Sequence, residues 1–298
     1  MHLLIPHASA QGEDAAAALA QLGPTLPNLA ALLGRLQAEG QQGSDEFSPD
    51  MPHELALAAL RGEDSPATAA WRASSLGLPG DRPWVQLTPL HLAVSVDQVK
   101  AYAPETLNLT EAESRSLFDS LAELWPAPEG WLAHWAGPTE WLISHASLAG
   151  ISAASLDRVV QRNIEPWLPR ARALRSLQNE VQMLLHRHPL NDSRRLPVNS
   201  VWISGCGSTT RSLPYDLRAD ERLRAPLLAG EWQDWQAWME AFRALDAELP
   251  QLAPTHVTLC GERTARTFGP APEAGFLQKL WQRVAPPRAD VTALLQSL

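Results

Sequence analysis

Short apolar runs and amphipathic helical stretches alternate along this chain from end to end, and that alternation restricts its fold more than any other feature. Residues 3–6 read as a short buried strand. Residues 28–39 read as a helix with Leu29, Leu32, Leu33 and Leu36 on one face, and residues 53–61 as a short helix carrying Leu55, Leu57 and Leu60. Residues 84–96 read as extended. Thr110 and Glu113 have the spacing of a capping box, which opens a helix over 111–125 with Leu117, Leu121 and Leu124 as its core stripe. Residues 131–136 and 140–145 read as strands joined by a turn at Gly137-Pro138. A long helix over 169–187 carries Leu174, Leu177, Val181, Leu184 and Leu185 on one stripe. The strand 198–204 runs into Gly205-Cys206-Gly207, residues 232–249 form another amphipathic helix, and 256–260 a late strand. Elements in this order predict an α/β protein.

At 298 residues the chain has room for one large domain or two unequal ones. Hydrophobic residues at 45% against 19% charged ones suit a sizeable core and argue against disorder. The 24 Lys and Arg face 33 Asp and Glu, a formal charge of −9, whereas a duplex-binding surface needs a strong positive field. Direct nucleic-acid binding is therefore not expected. No run reaches the ~18 apolar residues of a membrane span. Residues 1–12 carry no Lys or Arg ahead of their short apolar run and do not resemble a secretory signal. Two cysteines far apart, Cys206 and Cys260, suit reduced thiols better than a disulfide framework. A cytoplasmic protein with no membrane contact is the expectation. Residues 41–52, 77–83 and 188–197 are the clearest loops, and the 25 prolines are too scattered to mark one long linker.

Four constellations bear on chemistry. Ser204-Gly205-Cys206-Gly207-Ser208 follows a strand and has the small-x-nucleophile-x-small pattern of a nucleophile elbow, in which Cys206 would attack an acyl group. No helix clearly begins after Ser208, so a glycine turn with a buried thiol is the favoured reading. The nine histidines include no H-x-x-x-H pair and have no Cys-x-x-Cys partner. His186 and His188 lie at a helix end, where a cation suits the dipole. Asn191 and Asn199 sit in turns, where hydrogen bonds to backbone are commoner than ligand contacts. The acids of Gly12-Glu13-Asp14 and of 45–50 suit Mg²⁺ or Ca²⁺, or simply a solvated surface. Trp235, Trp238, Phe242 and Leu245 recur at helical spacing, a stripe that docks a helix on a core unless it is exposed as a docking surface. Phosphate-loop, dinucleotide and H-E-x-x-H signatures are absent from the sequence.

His188-Pro189-Leu190-Asn191, Arg194, Pro197-Val198-Asn199-Ser200-Val201-Trp202 and Gly205-x-Gly207 form one dense block. Weaker matches precede it at Leu3-Leu4-Ile5-Pro6, Thr25-x-Pro27-Asn28-Leu29, residues 87–96 and Leu109-Thr110-Glu111-Ala112-Glu113. In this order they resemble the archaeal-type cofactor-independent phosphoglycerate mutases of the alkaline phosphatase superfamily. More narrowly the chain resembles their shorter bacterial relatives, the RpfE-type regulatory or phosphoglycerate mutase-like proteins. The resemblance implies a reduced alkaline-phosphatase-like α/β core from residues 1–80 and 190–298. It also implies an inserted α+β subdomain over 81–189, similar to the mutase substrate domain.

The family's catalytic positions are mostly replaced. Its first strand ends in a metal-binding Asp-Gly, and His7-Ala8 stands there. Its nucleophile lies in Gly-Ser-Asp ahead of an L-x-L-L-G helix. Aligning that helix on residues 57–62 puts Pro52-His53-Glu54 in its place, while Gly43-Ser44-Asp45 lies too far upstream. After the late strand, Gly261-Glu262-Arg263-Thr264 stands where the family has its Asp-His-Ser-Thr-Pro metal motif, and the preceding Asp-x-x-x-His is not visible. Residues 96–102 keep Lys100 as their one base in place of the substrate arginines. Two-metal phosphoryl transfer needs a dense Asp/His set. The resemblance thus implies a catalytically degenerate regulatory or interaction protein, with no cofactor, and with an unknown protein or a small phosphorylated ligand as partner. The alternatives are an active Mn- or Mg-dependent phosphomutase or phosphohydrolase on a small phosphate ester, of phosphoglycerate mutase-like isomerase type, and a cysteine hydrolase at Cys206. A site is expected where strand ends converge. Its candidates are His7, His53, Glu54, Asn199 and Ser204 with His188 and Asn191 for ligand binding, and His53 and Cys206 for catalysis.

Overall fold

The computed structural model describes residues 1–43, 45–212, 216–229, 235–271 and 288–298. Its first elements are β1 (His2–Ile5), α1 (Glu13–Leu22), α2 (Pro27–Leu33), β2 (Leu36–Gln42), α3 (Pro52–Arg61) and α4 (Thr68–Ser75). There follow β3 (Trp84–Leu90), β4 (Leu92–Val94), β5 (Val99–Ala101), α5 (Glu111–Ser120), β6 (Leu132–Gly137), β7 (Glu140–Ser144), α6 (Arg172–His186) and β8 (Ser200–Gly207). The rest are β9 (Leu217–Ala219), α7 (Arg224–Leu227), α8 (Trp235–Leu252), β10 (His256–Cys260), β11 (Ala265–Pro270) and α9 (Val291–Gln296). The protein is of the α/β class, and it divides into two compact units: Met1–Gly62 with Leu213–Leu298, and Glu63–Ser212.

The sheet of the first unit has the order β2-β11-β10-β1-β9. β1 runs parallel to both neighbours, with His2 opposite His256 and Leu217, and Ile5 opposite Leu259. Because side chains alternate along a strand, the run Leu3-Leu4-Ile5 buries both faces of the sheet. Leu3 and Ile5 meet Leu19, Leu22, Leu29, Trp238 and Phe242 on one side, and Leu4 meets Ala56, Leu57 and Leu60 on the other. The tryptophan-bearing stripe of α8 is part of that core: Trp238, Phe242 and Leu245 are buried, which removes it as a docking surface. Residues 232–234 of the expected helix, and Ser44, lie outside the described residues.

One buried acid orders the same core. Asp246 of α8 accepts from the backbone N–H groups of Asn28 and Leu29 (3.3 and 2.7 Å) and from Asn28 Nδ2 at 3.1 Å, which caps the first turn of α2. Helix N-termini leave such donors without intrahelical partners, so a carboxylate from another helix is stabilised there even when buried.

Two local expectations change. Residues 36–39 are strand, not helix: α2 stops at Leu33, and β2 pairs antiparallel with β11 along a mostly exposed edge. Glu13 and Asp14 are the first turn of α1, where acids complement the helix dipole, so they are helix-starting residues and not a cation loop.

The second unit holds an antiparallel sheet of order β6-β7-β3-β8 and a small β4–β5 hairpin. Val85, Leu87, Trp141, Ile143, Val201 and Ile203 pack against the predicted stripes of α5 and α6. The Thr110–Glu113 capping box forms as expected, with reciprocal hydrogen bonds of 2.9 and 3.2 Å. The helix stops at Ser120, however, and a 3-10 turn over Ala122–Leu124 follows. The second compact unit is longer at both ends than the subdomain expected over 81–189. It takes in residues 63–80 and 190–212, and β8 pairs with β3 from Trp84↔Gly207 to Leu90↔Ser200. Among the described residues no single helix is long and apolar enough to cross a membrane.

His2 gives the first unit a pH dependence. Its Nε2 meets Thr258 Oγ1 at 2.8 Å and its ring stacks on His256. Burial, and then the charge of His256, push its pKa down to about 4. Between about 6.5 and 4 the unfolded chain takes up a proton that the folded chain refuses, so stability falls as pH falls through that window. The loss amounts to at most about 3 kcal/mol. Denaturant unfolding of His2→Gln across this range should show a flatter slope than the parent; an unchanged slope would assign the effect to other groups.

Candidate functional site

Ligands in α/β sheets bind beyond the carboxyl ends of parallel strands, which in the first unit are the ends of β1 and β10. The chain leaves β1 through Pro6 into His7, a buried non-glycine residue in the left-handed region at φ 57°. Such a backbone is costly for an L residue and persists where neighbours over-determine it. Two hydrogen bonds do so here: Ala8 N–H donates to Cys260 O at 2.8 Å, and Trp238 Nε1 donates to His7 O at 3.0 Å. The result directs the His7 ring to within 5.2 Å of the His53 ring, centroid to centroid, with the planes inclined by 52°. Their ligand nitrogens lie within 4.8 Å of each other.

His53 is in the first turn of α3, which begins with Pro52. Proline suits that position, where its missing N–H is no loss. Glu54, one residue on, folds back to accept from Met51 N–H at 2.9 Å. Glu262, just past β10, accepts from Gln11 N–H at 3.2 Å. Both carboxylates therefore hold backbone in place. Ser9, in the loop after β1, is 1% exposed, and its hydroxyl makes no hydrogen bond among the described residues. An unsatisfied buried hydroxyl is uncommon, and this one marks a position that sequence reasoning passed over. The available signal was its place in the small-residue turn Ala8-Ser9-Ala10 directly after the first strand.

The remaining expected residues belong to the second unit, where their polar atoms satisfy backbone. Asn191 Nδ2 donates to Leu185 O and Val198 O (2.8 and 2.9 Å), and its Oδ1 accepts from Val198 N–H at 2.8 Å. Asn199 exchanges two hydrogen bonds with the backbone of Leu92, 2.7 and 2.9 Å. His188 Nδ1 accepts from Leu190 N–H at 3.2 Å as the cap of a 3-10 turn. Trp202 Nε1 donates to Ala154 O at 2.9 Å. Arg194 pairs with Glu113 at 3.0 Å and also donates to Leu107 O. The Glu113 carboxyl lies below the usual range, chiefly through the Thr110 backbone and hydroxyl, with Arg194 adding to it. Ser204 is buried within β8 opposite Gln86.

Cys206 is likewise a residue of β8, and residues 208–212 contain no helix. The strand–turn–helix of a nucleophile elbow is not formed, which corrects the hydrolase reading of Cys206. The glycines beside it have a packing role. At φ +66°, a side chain on Gly205 would run into Thr68 and Ala69 at the start of α4, and one on Gly207 into Ala67. Neither Cys206 nor Cys260 is in a disulfide, and burial raises the Cys260 thiol well above its ordinary value.

No known family profile and no curated protein matches the sequence. Among solved structures, the chain is similar to the cofactor-independent phosphoglycerate mutase from Thermoplasma acidophilum DSM 1728. That match has 12% identity and a TM-score of 0.36, covering 90% of this chain and 88% of the mutase. It is also similar to the PH0037 protein from Pyrococcus horikoshii, at 9% identity and a TM-score of 0.47, covering 90% of this chain and 86% of that one. At these identities, and with TM-scores below 0.5, neither likeness carries a functional inference.

Two substitutions separate backbone roles from ligand roles. Asn191→Ala should lower unfolding stability by roughly 2 kcal/mol, since it leaves buried backbone groups without partners; a residue kept for ligand binding would leave the denaturation midpoint unchanged. His7→Asn and His7→Val both remove the imidazole, but valine resists the left-handed backbone. The valine variant should be less stable than the asparagine one by about 1–3 kcal/mol, read from the same denaturant curves.

Proposed function

We propose that this chain is a catalytically degenerate, phosphoglycerate mutase-like protein that acts by binding, as a regulatory or interaction component. The reading is supported by how the first unit uses its acids at the strand ends. His7 and His53 stand where the resemblance implies a metal-binding aspartate and a serine nucleophile. Two carboxylates of the first unit, Glu54 after His53 and Glu262 after β10, are engaged with backbone N–H groups.

Two-metal phosphoryl transfer needs paired ions, each with several oxygen or nitrogen donors, to activate the nucleophile and neutralise the phosphoryl oxygens. The donor set of the first unit does not fit that pair. Its two imidazoles supply part of one coordination shell, and Glu54 and Glu262 each already have one carboxylate oxygen committed to a backbone N–H. A pair of imidazoles does suit a different task. Each ring can donate one N–H, so together they can hold the anionic oxygens of a small phosphorylated ligand without reacting with it.

A second reading keeps catalysis: an active Mn- or Mg-dependent phosphomutase or phosphohydrolase. The convergence of His7 and His53 favours it, since nitrogens within 4.8 Å can share an ion. Elemental analysis of the purified chain, paired with 3-phosphoglycerate mutase assays in Mn²⁺ and Mg²⁺, decides between the two. The degenerate reading expects no turnover above background and no paired metals. Two metals per chain together with turnover would overturn it.

A further inference from the structure

At the amino ends of β1 and β10, away from His7, the first unit contains a cavity of about 350 Å³. Register brings its two imidazoles together. His2 and His256 are direct neighbours on parallel strands, so their rings stack at 5.5 Å with planes 18° apart. A threonine hydroxyl holds one nitrogen of each ring: Thr258 Oγ1 lies 2.8 Å from His2 Nε2, and Thr255 Oγ1 lies 3.1 Å from His256 Nδ1. Thr258 in turn meets Thr267, which lines the cavity, at 2.9 Å.

Glu39, on β2, supplies a carboxylate. Its Oε2 stands 4.0 Å from His256 Nε2. The carboxylate lies across Gly269 of β11, where any Cβ would collide with it. The bare glycine is thus what lets Glu39 reach the cavity. Asp216 lines the cavity as well, while Leu60 of α3 and Met1 form its apolar wall.

The charge of the lining side chains is one-sided. Among the described residues around the cavity there is no lysine or arginine. His2 is neutral at physiological pH, because burial and the neighbouring His256 hold it down at about 4. The two carboxylates stand against the Met1 ammonium, whose charge reaches His2, so the lining is net negative while the His256 ring is neutral. Such a site repels anions. A shared metal ion is also disfavoured, because stacked, nearly parallel imidazoles do not aim their nitrogens at one point.

We infer that this cavity is a ligand site for a small organic cation with an apolar body, its charged group facing Glu39 and its body lying against Leu60 and the paired imidazoles. Convergent polar groups on a partly apolar wall are the usual composition of small-molecule sites. A planar cation with two N–H donors, such as an amidinium, matches a carboxylate with two parallel hydrogen bonds. The site is independent of His7 and His53, and its existence does not depend on the proposed binding function.

Calorimetric titration of the full chain with benzamidinium, benzamide and benzoate tests the inference, because the three share a shape and differ in charge. Benzamidinium should bind one site per chain, and the neutral and anionic probes at least about tenfold more weakly. Glu39→Gln should weaken benzamidinium by about tenfold or more with the unfolding midpoint unchanged. Gly269→Ala keeps the carboxylate in the chain but displaces it, and should weaken binding similarly. It carries the test if Glu39→Gln proves unstable. Ring resonances of His2 and His256 should shift on binding. Equal binding of the three probes, preference for benzoate, absence of benzamidinium binding at millimolar concentration, or binding untouched by both variants would each overturn the assignment.

Discussion

The first unit depends on the double parallel pairing of β1. The buried strand His2–Ile5 pairs along its whole length with β10 and, over His2–Leu4, with β9, strands contributed by the later part of the sequence. Parallel neighbours cannot be joined by a tight turn, so long connections are obligatory. The sheet therefore cannot close until both ends of the chain are present. Contacts of such sequence separation incur loop-closure entropy before they return any stabilisation. The same arrangement explains why the second unit can occupy an uninterrupted stretch, Glu63–Ser212, with its own sheet and core.

Both ends of β1 carry histidine pairs, and their surroundings give them different properties. At the carboxyl end, His7 adopts a left-handed backbone that two hydrogen bonds enforce, and it meets His53 at an inclined angle. Strain held in this manner tends to accompany function, and the buried, unbonded Ser9 hydroxyl nearby in sequence is a second departure from ordinary packing. At the amino end, His2 and His256 stack face to face, with threonines on their outer nitrogens and a carboxylate cradled by a glycine. The first pair is the one proposed to hold anionic oxygen; the second shares its cavity with two carboxylates and the Met1 terminus. Parallel register places the second pair, whereas the first joins the turn after β1 to the first turn of α3.

The densest motif in the sequence has a structural explanation. From His188 to Gly207, the conspicuous polar residues serve the backbone around β8: Asn191 bridges the end of α6 to Val198, Asn199 holds Leu92, and Trp202 reaches Ala154. Buried amides and carbonyls outside regular ladders must find partners, and asparagine can donate and accept at once. Gly205 and Gly207 add close packing against the start of α4. A block of this kind identifies a scaffold without locating a site on it.

The sequence by itself determined the α/β class, the Thr110 capping box, the β6–β7 hairpin and the buried stripes of α6 and α8, because each rests on local periodicity or on a cap whose partners lie within a few residues. It did not show α1 or α4, whose small, alanine-rich buried positions give a weak apolar period. Nor did it show β2, whose polar edge sequence becomes strand through pairing with β11. His7 and His53 were legible as positions. Their approach, the bond from Gln11 to Glu262, the unbonded Ser9 and the His2–His256 stack were decided by tertiary structure alone. Each depends on residues far apart in sequence that only the closure of the β1 sheet brings together.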